Sequence, residues 1–146
     1  MKVIFLDFDG VLNSIRSAVA FGGYPWNVNK ESLKLFDLVG VALIRKACKE
    51  HDYKIILSST WRKCFPFKEL GEALDLPIVD KTPIIALKGR GYEIDRWLKN
   101  NYTEKYIIID DDGDMLEYQK EFFIHTDYIE GLTYKNYLDL IKLMEE

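Results

Sequence analysis

Apolar residues fall into two rhythms along this chain. Unbroken runs at Lys2–Leu6 and at residues 54–57, 77–79, 106–109 and 122–124 have the length and β-branched content of buried strands. Between them lie stretches with helical spacing. Asp37 can cap a segment reaching about Glu50, where Val41, Ile44 and Cys48 share one side and Gly40 weakens the first turn. Phe67–Leu74 is a short helix, residues 92–100 align Ile94, Trp97 and Leu98, and Thr133 opens a last helix carrying Tyr137, Leu138, Leu140, Ile141 and Met144. The alternation predicts an α/β fold with a central, mostly parallel sheet and helices on both faces.

Residues 14–29 follow neither rhythm. They read as a loop projecting over the strand ends, a small flap too short to be a large cap domain. Tyr24 and Trp26 stand in it as candidates to stack on a base or ring, although aromatics in such loops also pack the loop down.

At 146 residues, 48% of them hydrophobic, the chain is expected to form one domain over residues 1–146 with a substantial core. No apolar run nears the roughly 20 residues that span a bilayer, and no basic segment leads into a signal-peptide core, so the expected setting is cytoplasmic, away from membranes. Cys48 and Cys64 have neither zinc spacing nor the density of a disulfide framework and read as reduced thiols, Cys48 in the core and Cys64 exposed. A net charge of −4 argues against a broad nucleic-acid face. It leaves room for a local basic pocket drawn from Lys54, Arg62, Lys63, Lys68, Lys88 and Arg90.

Candidate chemistry gathers at four places. Asp7-Phe8-Asp9-Gly10-Val11-Leu12-Asn13 follows the first strand directly, and two carboxylates so close repel unless a cation or strong donors offset them. Hard cations such as Mg²⁺ suit oxygen ligands of this kind. Ser58-Ser59-Thr60-Trp61-Arg62 follows the second strand, where hydroxyls can donate to a phosphate and Arg62 can grip it; a helix cap with Arg62 in a surface pair is the plainer reading. Lys88-Gly89-Arg90-Gly91 sets one or two cations at the start of a helix, or merely a solvated basic loop. Asp110-Asp111-Asp112-Gly113-Asp114 ends the strand at 106–109. A calcium loop fits Asp110, Asp112, Asp114 and Glu121, but Met115 stands where such a loop needs glycine, and a strand precedes it.

Taken in order, Asp7-Phe8-Asp9-Gly10-Val11-Leu12-Asn13, Ser59-Thr60-Trp61-Arg62, Arg90-Gly91-Tyr92-Glu93-Ile94 and Asp110-Asp111-Asp112-Gly113-Asp114-Met115 resemble the haloacid dehalogenase (HAD) superfamily of phosphohydrolases. The nearest likeness is to the small HAD domains of RNA-repair (Swiss Army Knife) proteins, with Thr126-Asp127 and Gly131-Leu132-Thr133 also matching. The resemblance implies a Rossmann-like three-layer sandwich and a Mg²⁺-dependent phosphatase working through an aspartyl-phosphate. It implies Asp7 as nucleophile and Asp9 as general acid and base, with the Asp9 main-chain carbonyl helping to hold Mg²⁺. Asp111 or Asp110 completes the metal shell. Ser59 binds the phosphoryl group, with Ser58 or Thr60 as alternatives one residue away, and Gly10 and Arg62 lie on the substrate side. Superfamily members usually carry Lys where this chain has Arg90, and Lys88 is the alternative.

The expected substrate is a phosphomonoester at a nucleic-acid end or on a nucleotide. A small sugar or cofactor phosphate is the rival substrate, and an inactive metal-binding interaction module is the rival of another kind. No protein partner is readable, and His125 and Asp127 receive no role beyond packing or loop structure.

Overall fold

The computed structural model describes residues 1–146. Five strands form one sheet: β1 (Lys2–Leu6), β2 (Tyr53–Leu57), β3 (Ile78–Lys81), β4 (Lys105–Asp110) and β5 (Phe123–His125). They run in the order β3-β2-β1-β4-β5, and all the pairings are parallel. β1, β2 and β4 contain no proline or glycine and are built mainly from Ile, Val, Leu and aromatic residues, as strands covered on both faces require. Strand alternation divides the core. Ile4 and Leu6 face the larger cluster, while Val3 and Phe5 face the smaller.

The helices are α1 (Ile15–Phe21), α2 (Lys30–Leu33), α3 (Leu38–His51), α4 (Phe67–Leu74), α5 (Arg90–Asn100) and α6 (Tyr134–Glu145). α3, α4 and α6 bury Val41, Ile44, Leu70, Leu74, Tyr137 and Leu140 in the larger cluster, and α5 alone supplies helical side chains, Ile94 and Trp97, to the smaller one. Asp37 caps α3 by accepting from Gly40 N at 3.2 Å. Thr133 and Asn136 form a reciprocal capping box that starts α6.

One expected element is corrected. The loop at residues 14–29 begins with α1, which Ser14 caps: Ser17 N donates to Ser14 Oγ at 3.1 Å and Ser14 N to Ser17 Oγ at 2.9 Å. Its apolar side chains Ile15, Val19 and Phe21 face solvent, so no buried stripe marks it in the sequence. Main-chain bonds from Ile15 N to Tyr128 O and Arg16 N to Ile129 O dock it instead. Smaller shifts occur elsewhere. β3 lies at residues 78–81 rather than 77–79, with Asp80 and Lys81 pairing to Ile56 and Leu57 after a register slip between Ile55 and Ile56, and α5 begins at Arg90 rather than Tyr92. No helix is long and apolar enough to cross a membrane.

Sequential order reverses at β1, which lies between β2 and β4. The carboxyl ends of β1 and β4 therefore flank the crevice where open parallel sheets hold ligands.

Candidate active site

Strand register builds the centre. Leu6 pairs with Leu57 on one side and with Ile109 on the other, so the next residues, Asp7, Ser58 and Asp110, stand side by side at the carboxyl ends of the three strands. Alternation turns them toward the face that carries α5. The first residue of α5 is Arg90, whose Nη1 lies 3.2 Å from Asp7 Oδ1 and 2.7 Å from Asp110 Oδ2. A cation at a helix N-terminus opposes the helix dipole. Here two carboxylates compensate for it.

Asp111 joins from the loop after β4. Carboxylate oxygens of Asp7, Asp110 and Asp111 all lie within 4.8 Å of one another. Gly10 makes the approach feasible: its φ is +81°, and a Cβ there would collide with the Asp111 carboxylate. Thr126 ties the two loops, its Oγ1 donating to Gly10 O at 2.8 Å and its N to Asp110 O at 2.9 Å.

Three carboxylates share this space with one guanidinium. Burial first, and Asp110 second, push the Asp7 carboxyl up to about 9, while Arg90 opposes the rise. Burial raises Asp110 as well, again against Arg90. Burial works against the charge on Arg90, but Asp7 and Asp110 outweigh it and hold the guanidinium charged. Two negative charges remain uncompensated if all three acids ionise. An all-oxygen donor set with that excess fits a small hard dication.

Asp9 stands apart from the triad. Its Oδ1 accepts from Trp61 Nε1 at 3.1 Å and from Asn13 Nδ2 at 3.0 Å, which fixes the carboxylate and leaves Oδ2 without a protein partner. The residue is exposed at the mouth of a cleft of about 530 Å³ lined by Gly10, Tyr24, Trp26, Trp61, Phe65 and Tyr128 among others. Thr60 lines the same cleft.

The hydroxyl candidates separate. Ser59 Oγ accepts from Trp61 N at 3.2 Å and caps the short turn Thr60–Lys63, whereas Ser58 Oγ is buried without any hydrogen-bond partner. A buried orphan hydroxyl beside Asp7 has a donor to offer a phosphate oxygen.

Arg62 requires a correction. It is not available to grip phosphate, nor does it sit in a surface pair: it is 4% exposed and its donors reach Thr82 O at 3.0 Å, Ser58 O at 3.0 Å, Ser59 O at 2.8 Å and Pro83 O at 3.4 Å. Nη2 completes the set with Glu93 Oε1 at 2.9 Å. The fork therefore braces the β2 and β3 ends against α5. Lys88 Nζ rests 4.8 Å from the centre of the Tyr92 ring, away from Asp7, and Arg90 takes the position beside the acid.

The calcium-loop set does not gather, since the acids whose oxygens converge are Asp7, Asp110 and Asp111, without Asp112, Asp114 or Glu121. His125 Nε2 contacts Asp111 O at 2.9 Å, and Asp127 Oδ1 accepts from Ile129 N, so both shape loops at this rim. Sequence reasoning missed Asn13, Thr126 and Glu93. Asn13 and Thr126 had a signal in their motifs, Asn13 closing the first acid segment and Thr126 preceding Asp127. Glu93 likewise stands in the third motif, but its role shows only through its distant partner, Arg62.

No curated protein and no solved structure matches the chain significantly. A family model, described as the HAD domain in Swiss Army Knife RNA repair proteins, matches residues 3–137. That span takes in β1 from Val3 onward, the other four strands and every residue of the acidic centre, and the all-parallel sheet is consistent with the same fold. The chain thus belongs to this family of HAD domains.

Proposed function

We propose that the chain is a Mg²⁺-dependent phosphomonoesterase that works through an aspartyl-phosphate on nucleic-acid ends or nucleotides. The observation that carries this reading is Asp7, held between Arg90 and two further carboxylates, with Asp9 fixed on one oxygen and free on the other. Asp7, Asp110 and Asp111, with the Asp9 main-chain carbonyl, would hold the ion, which when bound neutralises carboxylate charge and polarises the phosphoryl oxygens.

The chain's own groups do the rest. A carboxylate oxygen of Asp7 attacks phosphorus while the ester P–O bond breaks, and Asp9 gives its proton to the departing oxygen. Water then attacks phosphorus, Asp9 takes the proton released, and the P–O bond to Asp7 breaks to yield inorganic phosphate. Arg90 orients Asp7 and favours its ionised form. Ser58, with Ser59 and Thr60 beside it, donates to the phosphoryl group, and Gly10 keeps the approach open. The family's RNA-repair setting favours a nucleic-acid end or nucleotide as the ester.

Phosphate release from phosphorylated oligonucleotides, nucleotides and sugar phosphates with added Mg²⁺ tests the reading. Turnover lost on chelation and in Asp9→Asn supports it. No release from any of these esters at saturating Mg²⁺ overturns it.

A further inference from the structure

The cleft beside Asp9 is larger than a phosphoryl group needs. Its volume of about 530 Å³ falls within the roughly 300–1,000 Å³ of small-molecule sites. Asp9, Gly10 and Asp111 line it, whereas Asp7, Arg90 and Asp110 do not. A group seated there is on the Asp9 side of phosphorus. Resting on the reading above, in which Asp9 protonates the departing oxygen, the cleft receives the leaving group.

The lining specifies what kind of leaving group. Tyr24, Trp26, Trp61, Phe65 and Tyr128 surround the space. Trp61 and Phe65 lie 5.4 Å apart at 32°, forming a shallowly tilted floor, and the Trp61 indole N–H is the donor that fixes Asp9. At the rim, Tyr24, Trp26 and Tyr128 are 53%, 55% and 59% exposed. The backbone under the Trp26 side chain is nevertheless pinned, because Trp26 N and Asn27 N both donate to the buried Ser32 Oγ, at 2.8 and 3.0 Å. Open aromatic faces on a fixed support are the arrangement used to stack planar rings.

Charge and hydrogen bonding narrow the choice further. No Lys or Arg lines the cleft, and two carboxylates do, so a second phosphate has no counter-charge inside it. The polar groups of the lining lie on the side of Asp9 and Asp111 or at the tips of Tyr24 and Tyr128, while Asn13 Nδ2 is already donating to Asp9 and Ser14 Oγ is already capping α1. A bare sugar would leave the Trp26, Trp61 and Phe65 faces without a ring to stack on them.

The geometry points to a subsite for one uncharged planar base, so that the substrate is a phosphorylated nucleoside read as a single unit. That unit is either a free nucleotide or the terminal nucleotide of a strand, whose remaining phosphates lie outside the cleft. Because stacking accepts any π-face, discrimination among bases is weak, while discrimination against aliphatic phosphate esters is strong.

Two measurements test this on the intact protein. The first is tryptophan fluorescence during titration with adenosine or ribose, without Mg²⁺ and without any phosphate, which reads the cleft independently of catalysis. Saturable quenching by adenosine alone, lost in Trp26→Ala and restored in Trp26→Phe through Trp61, is expected. The second is kcat/KM for adenosine monophosphate, for an oligonucleotide with a terminal phosphate, and for ribose 5-phosphate. Trp26→Ala should lower the ratio of nucleotide to ribose 5-phosphate between roughly fivefold and a hundredfold, as loss of one stacked base does.

Similar values for the mononucleotide and the oligonucleotide identify the single unit as what is read. Oligonucleotide activity with none on the mononucleotide overturns that part. Equal response to adenosine and ribose, or a ratio unmoved in Trp26→Ala, overturns the base subsite while leaving phosphatase activity intact. Adenosine quenching without phosphate release from any ester defeats the catalytic reading instead, and the cleft assignment survives it.

Discussion

Arg62 Nη2 lies 2.9 Å from Glu93 Oε1, and both side chains are buried. The pair joins the turn after β2 to the first turn of α5, three residues from Arg90. Removing one member leaves a buried charge without its partner, a loss of about 3–5 kcal/mol. Arg62→Ala and Glu93→Ala should each lower the urea midpoint accordingly. Arg62→Lys should recover little, because one ammonium cannot reach four carbonyls and a carboxylate. Wild-type midpoints in the alanine variants would refute the brace.

Asp7 is crowded for a reason other than stability. Its burial and the neighbouring Asp110 both disfavour its charge. Asp7→Asn relieves the repulsion at nearly constant volume, so the metal-free variant should melt several degrees above wild type, on the scale of about 2–4 °C per kcal/mol for a domain near this size. Phosphate release should fall to background in the same variant. Calorimetry with chelator, beside a phosphate assay with Mg²⁺, checks both halves.

The same crowding fixes a pH dependence. The Asp7 carboxyl sits at about 9 in the metal-free fold against 3.8 in the unfolded chain, so between those limits the folded state binds more protons. Stability from this group is complete below about pH 4 and lost as pH rises through about 9. Metal competes with the same proton. The melting-temperature gain from Mg²⁺ should therefore be larger at pH 8.5 than at pH 5.5. A gain independent of pH would contradict the assignment of Asp7 to the ion.

Ser58 and Ser59 should separate by phenotype. Ser59→Ala removes a cap and should cost about 1 kcal/mol in stability. Ser58→Ala removes a buried hydroxyl that bonds to nothing in the fold and should leave the urea midpoint at or above that of wild type while weakening inhibition by inorganic phosphate. Denaturation and product-inhibition curves on the two variants resolve the roles.

Legibility from sequence followed burial. β1, β2 and β4 are apolar through most of their length because both faces are covered, and their runs are plain in the chain. α1 is the reverse case: Val19 and Phe21 point outward and Ser17 inward, so periodicity carries no trace of it. At the site, the acids announce themselves because charge at a strand end is costly. The cations do not, since Arg62, Lys88 and Arg90 look alike until the partners are known. Glu93 claims the first, Tyr92 the second and Asp7 the third. Ser58 and Ser59 differ by one residue, and only the pairing of Leu57 with Leu6 decides which stands level with Asp7.

That pairing also divides the molecule into segments that tolerate length change and segments that do not. Length changes at Gly22 and Gly23 fall in an exposed turn, whereas from Pro25 onward the segment is held by the buried Pro25, by Ser32 Oγ and by Val28 on the core. Deleting one residue inside β4 would send Asp110 to the opposite face and strip Arg90 of one acid, because side chains along a strand change sides at every step. Variation in length is thus cheap in the turns beyond the sheet, and a change to the acidic centre must pass through the strands.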